Sequence, residues 1–256
     1  MIAPEEVVRL NIDRGIATIT LDSPANRNAL SRQLVGELAA RLERATTDSS
    51  VRAVVLTHTG PVFCAGADLK EQRQPVPQGA ARVPPIPEVF TRIMDAPTPV
   101  VAKLHGHARA GGIGLVAACD LAVAPTAATF AFTEVHIGVV PAMIAVPVVR
   151  RLRSRAASRF MLTGETFTAE QAALDGLITI AADDVDAACE ELLAGFRAAE
   201  PAALARTKRL IAELAALDRA DGFALGASVS AEFFSSEAAQ EGMAAFAEKR
   251  RPRWAL

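Results

Sequence analysis

The sequence predicts an α/β fold that ends in a helical region, on three observations. Short runs of apolar and β-branched residues recur through the first half of the chain, as strands require. Segments with helical spacing separate these runs, and strands that alternate with helices are typical of α/β proteins. From Pro141 onward the helical pattern dominates. We therefore expect an α/β half followed by an α-helical half, without an internal repeat.

The strand predictions come from short local patterns. Residues 7–10 and 16–21 are β-branched runs joined by the turn Asp13-Arg14-Gly15. Residues 51–57, 100–104 and 121–124 are apolar runs of the kind found in strands covered on both faces. Helices are predicted after the N-cap Ser31, from Gly111 through Ala117, between Thr168 and Gly176, and at residues 183–197, 201–217, 222–234 and 236–248.

Composition and charge exclude several classes of function. Hydrophobic residues make up 51% and charged residues 22% of the 256 residues, which is a globular composition. The 27 Lys and Arg residues nearly balance the 29 Asp and Glu residues. Nucleic-acid-binding proteins usually carry a basic excess, so this class is excluded, although the basic residues 249–253 need an explanation of their own.

The cysteines and the chain start predict the compartment. Cys64, Cys119 and Cys189 are odd in number and have no metal-like spacing, so we expect neither a disulfide framework nor a metal site. Glu5 and Glu6 stand where the apolar part of a secretion leader would lie. Since no run of about 18 apolar residues exists either, the expected location is the cytoplasm, without membrane contact.

A proline-rich segment interrupts the α/β half at residues 72–87. Its prolines are Pro75, Pro77, Pro84, Pro85 and Pro87, and it contains few apolar residues that would anchor it. We expect an extended loop. Both a functional insertion and a plain surface loop fit this composition.

Three clusters of residues carry possible chemistry. The first, residues 60–70, places Gly66 between two alanines after a strand, where backbone N–H groups can approach a ligand or simply form a structural turn. The second, residues 106–114, opens a helix at Gly111, and a helix N-terminus suits a phosphate or an oxyanion. It lacks both the dinucleotide-binding and the phosphate-loop spacing.

The third cluster, residues 129–141, contains a single acidic residue. Glu134 stands in an almost wholly apolar run, so its carboxylate is either paired for structure or has a raised pKa suited to proton transfer. His136 would share a face with Glu134 if the segment were a strand, and would then support or replace a missing acid. His58 is expected to end a strand, and His105 and His107 to be structural.

In this order, the three clusters resemble the crotonase family, also called the enoyl-CoA hydratase/isomerase superfamily, over nearly the whole chain. The resemblance implies a spiral of ββα turns with a CoA site over residues 1–195, and a helical trimerisation region over residues 196–256. Family members stabilise a thioester enolate with two backbone N–H groups. Here these donors correspond to Ala67 and Gly111, and Glu134 corresponds to a catalytic carboxylate.

The resemblance also implies binding residues and partners. The expected CoA contacts are Arg27, Asn28, Ala29, Leu30, Ala65, Asp68, Leu69, Phe246 and Lys249. The last two would reach CoA across a subunit boundary and would explain the late basic cluster. The implied partners are an acyl-CoA substrate and further copies of the chain, as a homotrimer or hexamer. CoA is part of the substrate, so no separate cofactor is expected.

One departure from the family pattern limits the functional prediction. Typical hydratases of the family carry a glutamate three residues after the oxyanion glycine, where this chain has Gly114. Ala142 stands where dehalogenase and dienoyl-CoA isomerase relatives have an aspartate. The resemblance therefore implies an enoyl-CoA hydratase that adds water to a 2-enoyl-CoA. A Δ3,Δ2-enoyl-CoA isomerase that uses Glu134 alone and a low-turnover acyl-CoA-binding protein are the alternatives.

Overall fold

The computed structural model describes residues 5–74 and 83–256. These residues form two sheets and eleven α-helices, in the order β1 (Val8–Asp13), β2 (Ile16–Leu21), α1 (Arg32–Thr47), β3 (Ala53–His58), β4 (Val62–Cys64), α2 (Leu69–Gln72), α3 (Ile86–Asp95), β5 (Val100–Lys103), β6 (His107–Arg109), α4 (Gly111–Ala118), β7 (Leu121–Pro125), β8 (Thr129–Ala131), α5 (Ala142–Val148), α6 (Ser154–Thr163), β9 (Phe167–Thr168), α7 (Ala169–Leu174), β10 (Ile180–Ala182), α8 (Val185–Ala198), α9 (Pro201–Leu214), α10 (Arg219–Phe234) and α11 (Glu237–Ala247).

The larger sheet has the strand order β1-β2-β3-β5-β7-β10. Its first two strands are an antiparallel pair, and the neighbours from β2 onward run parallel. Every residue of β3 is buried, which fits the apolar run that predicted this strand. One face packs into the main core with α1, α3 and α4, and the other buries Val55 and Val101 against Leu193 of α8.

The smaller sheet has the order β4-β6-β8-β9, and β4, β6 and β8 are parallel. Consecutive strands of the chain alternate between the sheets: β3, β5 and β7 lie in the larger one, and β4, β6 and β8 in the smaller one. Two strands and the helical segment after them therefore form one turn of a spiral. The ββα spiral implied by the resemblance is confirmed.

Several helix ends lie where the sequence predicts them. The Ser31 hydroxyl accepts a hydrogen bond from the Leu34 N–H at 3.2 Å, so Ser31 is the N-cap of α1. Thr168 caps α7 in the same way. Pro201 occupies the first turn of α9, where the missing N–H costs nothing.

Two segments differ from the prediction. The expected loop at residues 72–87 is too long, because α3 begins at Ile86 and Pro87 fits into its first turn; residues 75–82 of that loop lie outside the described residues. Residues 133–137 form a short 3-10 helix rather than a strand. The face that His136 was expected to share with Glu134 therefore does not exist.

The C-terminal helices are much less buried than the spiral. Neither α9 nor α10 contains a buried residue, and α11 contains one, Ala245. The expected boundary after residue 195 falls inside α8, so the change in burial comes slightly later in the chain. The large exposed apolar side chains of this region are Ile211, Leu214, Leu217, Phe223, Phe234, Met243 and Phe246. Along the described part of the chain, all helices are too short or too polar to cross a membrane.

Candidate active site

The three predicted catalytic residues lie in the segments that directly follow three neighbouring parallel strands, at the end of the smaller sheet where these strands have their carboxyl ends. In the parallel set β4, β6 and β8, Cys64 is in register with Ala108, and Arg109 with Ala131. The segments that follow these strand ends carry Ala67, Gly111 and Glu134 respectively. Crevices beyond the carboxyl ends of parallel strands are the usual ligand sites of α/β proteins.

The turn after β4 and the start of α4 approach each other closely. A Cβ placed on Gly111 would lie 3.7 Å from the Ala67 nitrogen and 3.3 Å from the Gly66 Cα. A Cβ on Gly66 would lie 2.7 Å from the Ala110 Cβ, and Gly66 has φ +91°. Glycine is needed at position 66 for both space and backbone conformation. The two predicted N–H donors therefore lie side by side.

Neither of these N–H groups is used by the described part of the fold. Among the described residues, no acceptor takes a hydrogen bond from the Ala67 or the Gly111 N–H. Gly111 is the first residue of α4, so the positive end of the helix dipole adds to its N–H. Two N–H groups in this position can stabilise an oxyanion that develops on a bound carbonyl.

Glu134 supplies a poorly solvated carboxylate at the same edge. Its Oε2 atom is buried and has no hydrogen-bond partner in the described ranges. Burial raises the pKa of Glu134 above its ordinary value, because the charged form loses hydration. The sequence is compatible with either structural pairing or proton transfer, and a carboxylate with one unpaired buried oxygen and a raised pKa favours proton transfer.

The position of the missing second carboxylate is filled by apolar side chains. A Cβ on Gly114 would lie 2.7 Å from both the Phe90 Cζ and the Ile144 Cγ2. Phe90 comes from α3 and Ile144 from α5, and both are buried. A glutamate at position 114 has no room unless these side chains move.

Two segments predicted to bind CoA run alongside each other next to the oxyanion turn. The Leu30 N–H donates to the Gly66 carbonyl at 2.8 Å, and the Ala65 N–H to the Arg27 carbonyl at 3.1 Å. Arg27 is exposed, while Ala29 is buried. Residues 27–30 and 65–67 are thus joined into one surface beside Ala67 and Gly111.

Two of the predicted binding residues make hydrogen bonds that stabilise the fold itself. Asn28 is fully buried, and its Nδ2 donates to the Thr59 and Val62 carbonyls while its Oδ1 accepts from Ser23 N–H. The Asp68 carboxylate accepts from two N–H groups and caps α2. Leu69, the next residue, is 53% exposed and remains available for contact.

Phe246 and Lys249 lie elsewhere in the molecule. Phe246 is 88% exposed near the end of α11, and Lys249 follows in a left-handed conformation with φ +54°. The chain then returns to α8, where the Trp254 Nε1 donates to the Ala198 carbonyl at 3.2 Å. Within residues 5–74 and 83–256, no hydrogen bond or ion pair joins Phe246 or Lys249 to the strand-end site, so their role stays a prediction.

The side chains of His58, His107 and His136 make hydrogen bonds within the fold, and His105 contributes its backbone N–H. His136 is turned toward the end of α6, where its Nε2 lies 2.8 Å from the Thr163 carbonyl, which disfavours the alternative in which it supports or replaces an acid beside Glu134. His107 Nδ1 lies 3.0 Å from the Thr129 hydroxyl. His58 ends β3, as predicted, and its Nε2 accepts from the His105 N–H at 2.9 Å. Burial lowers the pKa of His58 to about 4.

Sequence reasoning missed two apolar residues of the site and one backbone feature. Phe90 and Ile144 have no local signal, because they are ordinary apolar residues of helices distant in sequence from Gly114. Ala110 has φ +47° and ψ −121°, which nothing in its side chain predicts. Within the described ranges, no group of three or more His, Cys, Asp or Glu side chains is arranged to hold a metal ion.

The geometry of the site points to one class of enzyme chemistry. Two unused N–H groups and a partly buried carboxylate, on segments that follow neighbouring parallel strands, suit a reaction in which a carbonyl becomes an enolate and a proton moves. A separate cavity of about 640 Å³ lies between the end of α3 and helices α9 and α10, and none of the three catalytic candidates lines it.

The comparisons with known proteins agree with this class. Residues 11–255 match the family model described as enoyl-CoA hydratase/isomerase. A Thermus thermophilus protein, named provisionally as an enoyl-CoA hydratase, is 36% identical over 96% of this chain and all of its own length. The chain therefore belongs to the enoyl-CoA hydratase/isomerase family, and it is an enzyme of the crotonase type.

Solved structures give the same result. An enoyl-CoA hydratase of Mycobacterium smegmatis is 35% identical, with a TM-score of 0.90 over 98% of this chain and 100% of that chain. An enoyl-CoA hydratase of Shewanella pealeana is 30% identical, with a TM-score of 0.89 over 97% of this chain and 96% of that chain. These proteins share the fold along almost its entire length.

Proposed function

We propose that this enzyme hydrates a 2-enoyl-CoA thioester with Glu134 as its only catalytic carboxylate. The observation that carries the proposal is the partly desolvated Glu134 carboxylate, with its Oε2 buried and unpaired, in the segment that follows β8, while the neighbouring strands lead to the Ala67 and Gly111 N–H groups. These N–H groups would polarise the thioester carbonyl and hold the enolate oxygen. Each such donor typically contributes about 2.7–4 kcal/mol to the transition state.

A single carboxylate is sufficient for hydration, because it can both accept the proton from water and return it to the substrate. Glu134 would take a proton from water while the water oxygen bonds to C3 and the electron pair moves through C2 onto the thioester oxygen. The protonated Glu134 would then return that proton to C2, as the enolate collapses. The raised pKa of Glu134 suits both steps, because the carboxyl group exchanges a proton more readily near the working pH.

A second candidate, Δ3,Δ2-enoyl-CoA isomerisation, is favoured by the apolar side chains at Gly114. Isomerisation needs one base to remove a proton from C2 and return it to C4, with no water between the carboxylate and the substrate. Phe90 and Ile144 would exclude both a second carboxylate and an ordered water from that wall. We expect hydration, if it occurs, to be slow.

CoA would lie along the joined segments 27–30 and 65–69. The exposed Arg27 side chain suits a phosphate of CoA, and the exposed Leu69 suits its adenine or pantetheine. The backbone of this surface would be formed by Ala29, Leu30, Ala65 and Asp68. The buried Asn28 would hold residues 27–30 in place through its side-chain hydrogen bonds. We propose no metal and no further cofactor.

Assembly and location complete the proposal. We propose a homotrimer or a multiple of it, formed by the helical region that the sequence assigns to residues 196–256, because an isolated chain would leave its apolar side chains in water. Phe246 and Lys249 would reach the CoA of a neighbouring copy. Cys64, Cys119 and Cys189 are all free thiols, which fits a cytoplasmic protein.

Absorbance of the conjugated enoyl thioester tests the function directly. Crotonyl-CoA should lose this band if the enzyme hydrates it, whereas a 3-enoyl-CoA should gain the band if the enzyme isomerises it. Calorimetry with acetyl-CoA, with and without a chelator, measures binding in parallel and should give the same affinity in both. Binding without any change of absorbance would contradict both reactions and leave an acyl-CoA-binding protein.

A further inference from the structure

A strained alanine stands directly before one of the two oxyanion donors. Ala110 has φ +47° and ψ −121°. L-residues avoid this region, because Cβ meets the backbone, and non-glycine residues with positive φ usually adopt the left-handed helical conformation instead. Arg27, with φ 59° and ψ 39°, adopts this common left-handed helical conformation. Backbone strain that persists in a folded protein often marks a functional position.

Contacts on every side hold Ala110 in this conformation. Its N–H donates to the Ala131 carbonyl at the end of β8, at 3.1 Å. Its carbonyl accepts from the Ile113 N–H at 2.9 Å and the Gly114 N–H at 3.3 Å, which fixes the first turn of α4. The residue is therefore tied both to the strand that leads to Glu134 and to the helix that begins at Gly111.

The methyl group of Ala110 faces the other half of the oxyanion hole. A Cβ on Gly66 would lie 2.7 Å from the Ala110 Cβ. The Ala110 methyl group therefore packs against the Gly66 Cα, on the side where a side chain would otherwise stand. Gly66 immediately precedes Ala67, the second N–H donor. A glycine at position 110 would remove the strain, but it would also remove this contact with the Gly66–Ala67 turn.

We propose that Ala110 is a positioning residue for both N–H donors. Its ψ angle sets the plane of the peptide that contains the Gly111 N–H, and its methyl group braces the turn that carries the Ala67 N–H. This rests on the proposed function for its catalytic consequence, but the bracing itself is a property of the chain alone. Ala110 touches no reacting atom, and it acts through Gly111 and Ala67.

The test is Ala110→Gly, which should fold because glycine adopts this conformation without steric conflict. Amide hydrogen exchange of two hydrogen-bonded reporters should become faster than in the wild type: the Leu30 N–H, which donates to the Gly66 carbonyl, and the Ile113 N–H, which donates to the Ala110 carbonyl. The kcat for an enoyl-CoA should fall about tenfold with little change in KM, since a displacement of about 1 Å can cost up to 10²-fold. Ala110→Ser retains Cβ and should restore both readouts.

Arg14→Gly is the matched control. Arg14 has φ 42° in the exposed turn between β1 and β2, so glycine relieves a positive φ there without touching the site. It should alter neither the exchange of the Leu30 and Ile113 N–H groups nor kcat. Any slowing it caused would assign the Ala110→Gly effect to backbone strain in general.

The exchange and kinetic readouts separate this proposal from the proposed function. Unchanged exchange in Ala110→Gly would overturn the bracing, and faster exchange with an unchanged kcat would overturn its importance for catalysis. If the wild type turns over neither enoyl-CoA, the proposed function has failed. In that case, faster exchange in Ala110→Gly that Ala110→Ser reverses still supports the bracing.

Discussion

Positions 114 and 134 correspond to the two places where typical hydratases of the family carry a glutamate, and this molecule differs sharply between them. At 134 a carboxylate remains, with one oxygen buried and unpaired in the described part of the protein. At 114 there is no side chain, and Phe90 and Ile144 occupy the space. The difference shows that the absence of a carboxylate at 114 is matched by the core packing around it, so that a glutamate there would need Phe90 and Ile144 to move.

Removal of the Glu134 carboxylate should give the largest effect on activity. Glu134→Gln keeps the shape and removes the titrating group, so turnover of either enoyl-CoA should fall by about 10²–10⁴-fold. Rates measured by enoyl absorbance check this. Glu170→Gln, an exposed residue of α7, is the control and should have no effect. Intact turnover in Glu134→Gln would assign the proton chemistry to another group.

Removal of one oxyanion donor should cost slightly less. Gly111→Pro lacks the N–H, so kcat should fall by about 10²–10³-fold in a folded variant. A Cβ at this position lies 2.8 Å from the Leu30 Cδ1, which is a steric problem of its own.

Gly111→Ala separates these two causes, because it adds the same Cβ and keeps the N–H. Circular dichroism should first show that both variants fold. Equal activities of the alanine and proline variants would remove the Gly111 N–H from the mechanism.

Glutamate at position 114 should harm the protein rather than restore fast hydration. Gly114→Glu forces a side chain against Phe90 and Ile144, and overpacking of this kind costs about 1–3 kcal/mol before the buried charge is counted. Thermal unfolding should occur at a lower temperature, by about 2–4 °C for each kcal/mol. An unchanged melting temperature together with faster crotonyl-CoA hydration would show that the space at 114 is open after all.

The smallest expected effect concerns stability and leaves the site untouched. Burial holds the pKa of His58 at about 4 in the folded state, against an ordinary value of 6.5. Between these pH values the unfolded chain binds up to one more proton than the folded protein. The free energy of unfolding therefore falls as the pH decreases from 6.5 toward 4. Denaturant unfolding at several pH values measures this, and a His58→Asn variant should show a slope smaller by about one proton.

Most of the fold could be predicted from the sequence, whereas the character of the site could only partly be predicted. Ser31, Thr168 and Pro201 are local signals, and each marks a helix start in the structure. The strands of the smaller sheet have only two or three residues, too few for a readable pattern.

The site residues divide in the same way. The turn at Gly66 and the helix start at Gly111 are visible in the sequence because glycine is informative there. The packing of Phe90 and Ile144 on Gly114 is a contact between three separate helices, and no local pattern encodes it. The 3-10 helix at Thr133–Ile137 could not be predicted from a local pattern either. Its His136 side chain contacts Thr163, which lies on α6 and is distant in sequence.

The pH dependence of kcat/KM tests most directly whether Glu134 works alone. With one carboxylate acting as the base, the rate should rise with pH through a single ionisation above the ordinary carboxyl value of 4.5, because burial raises the pKa of Glu134. This limb should disappear in Glu134→Gln. A bell-shaped profile that reports a second essential group, or a limb that survives in Glu134→Gln, would contradict the account.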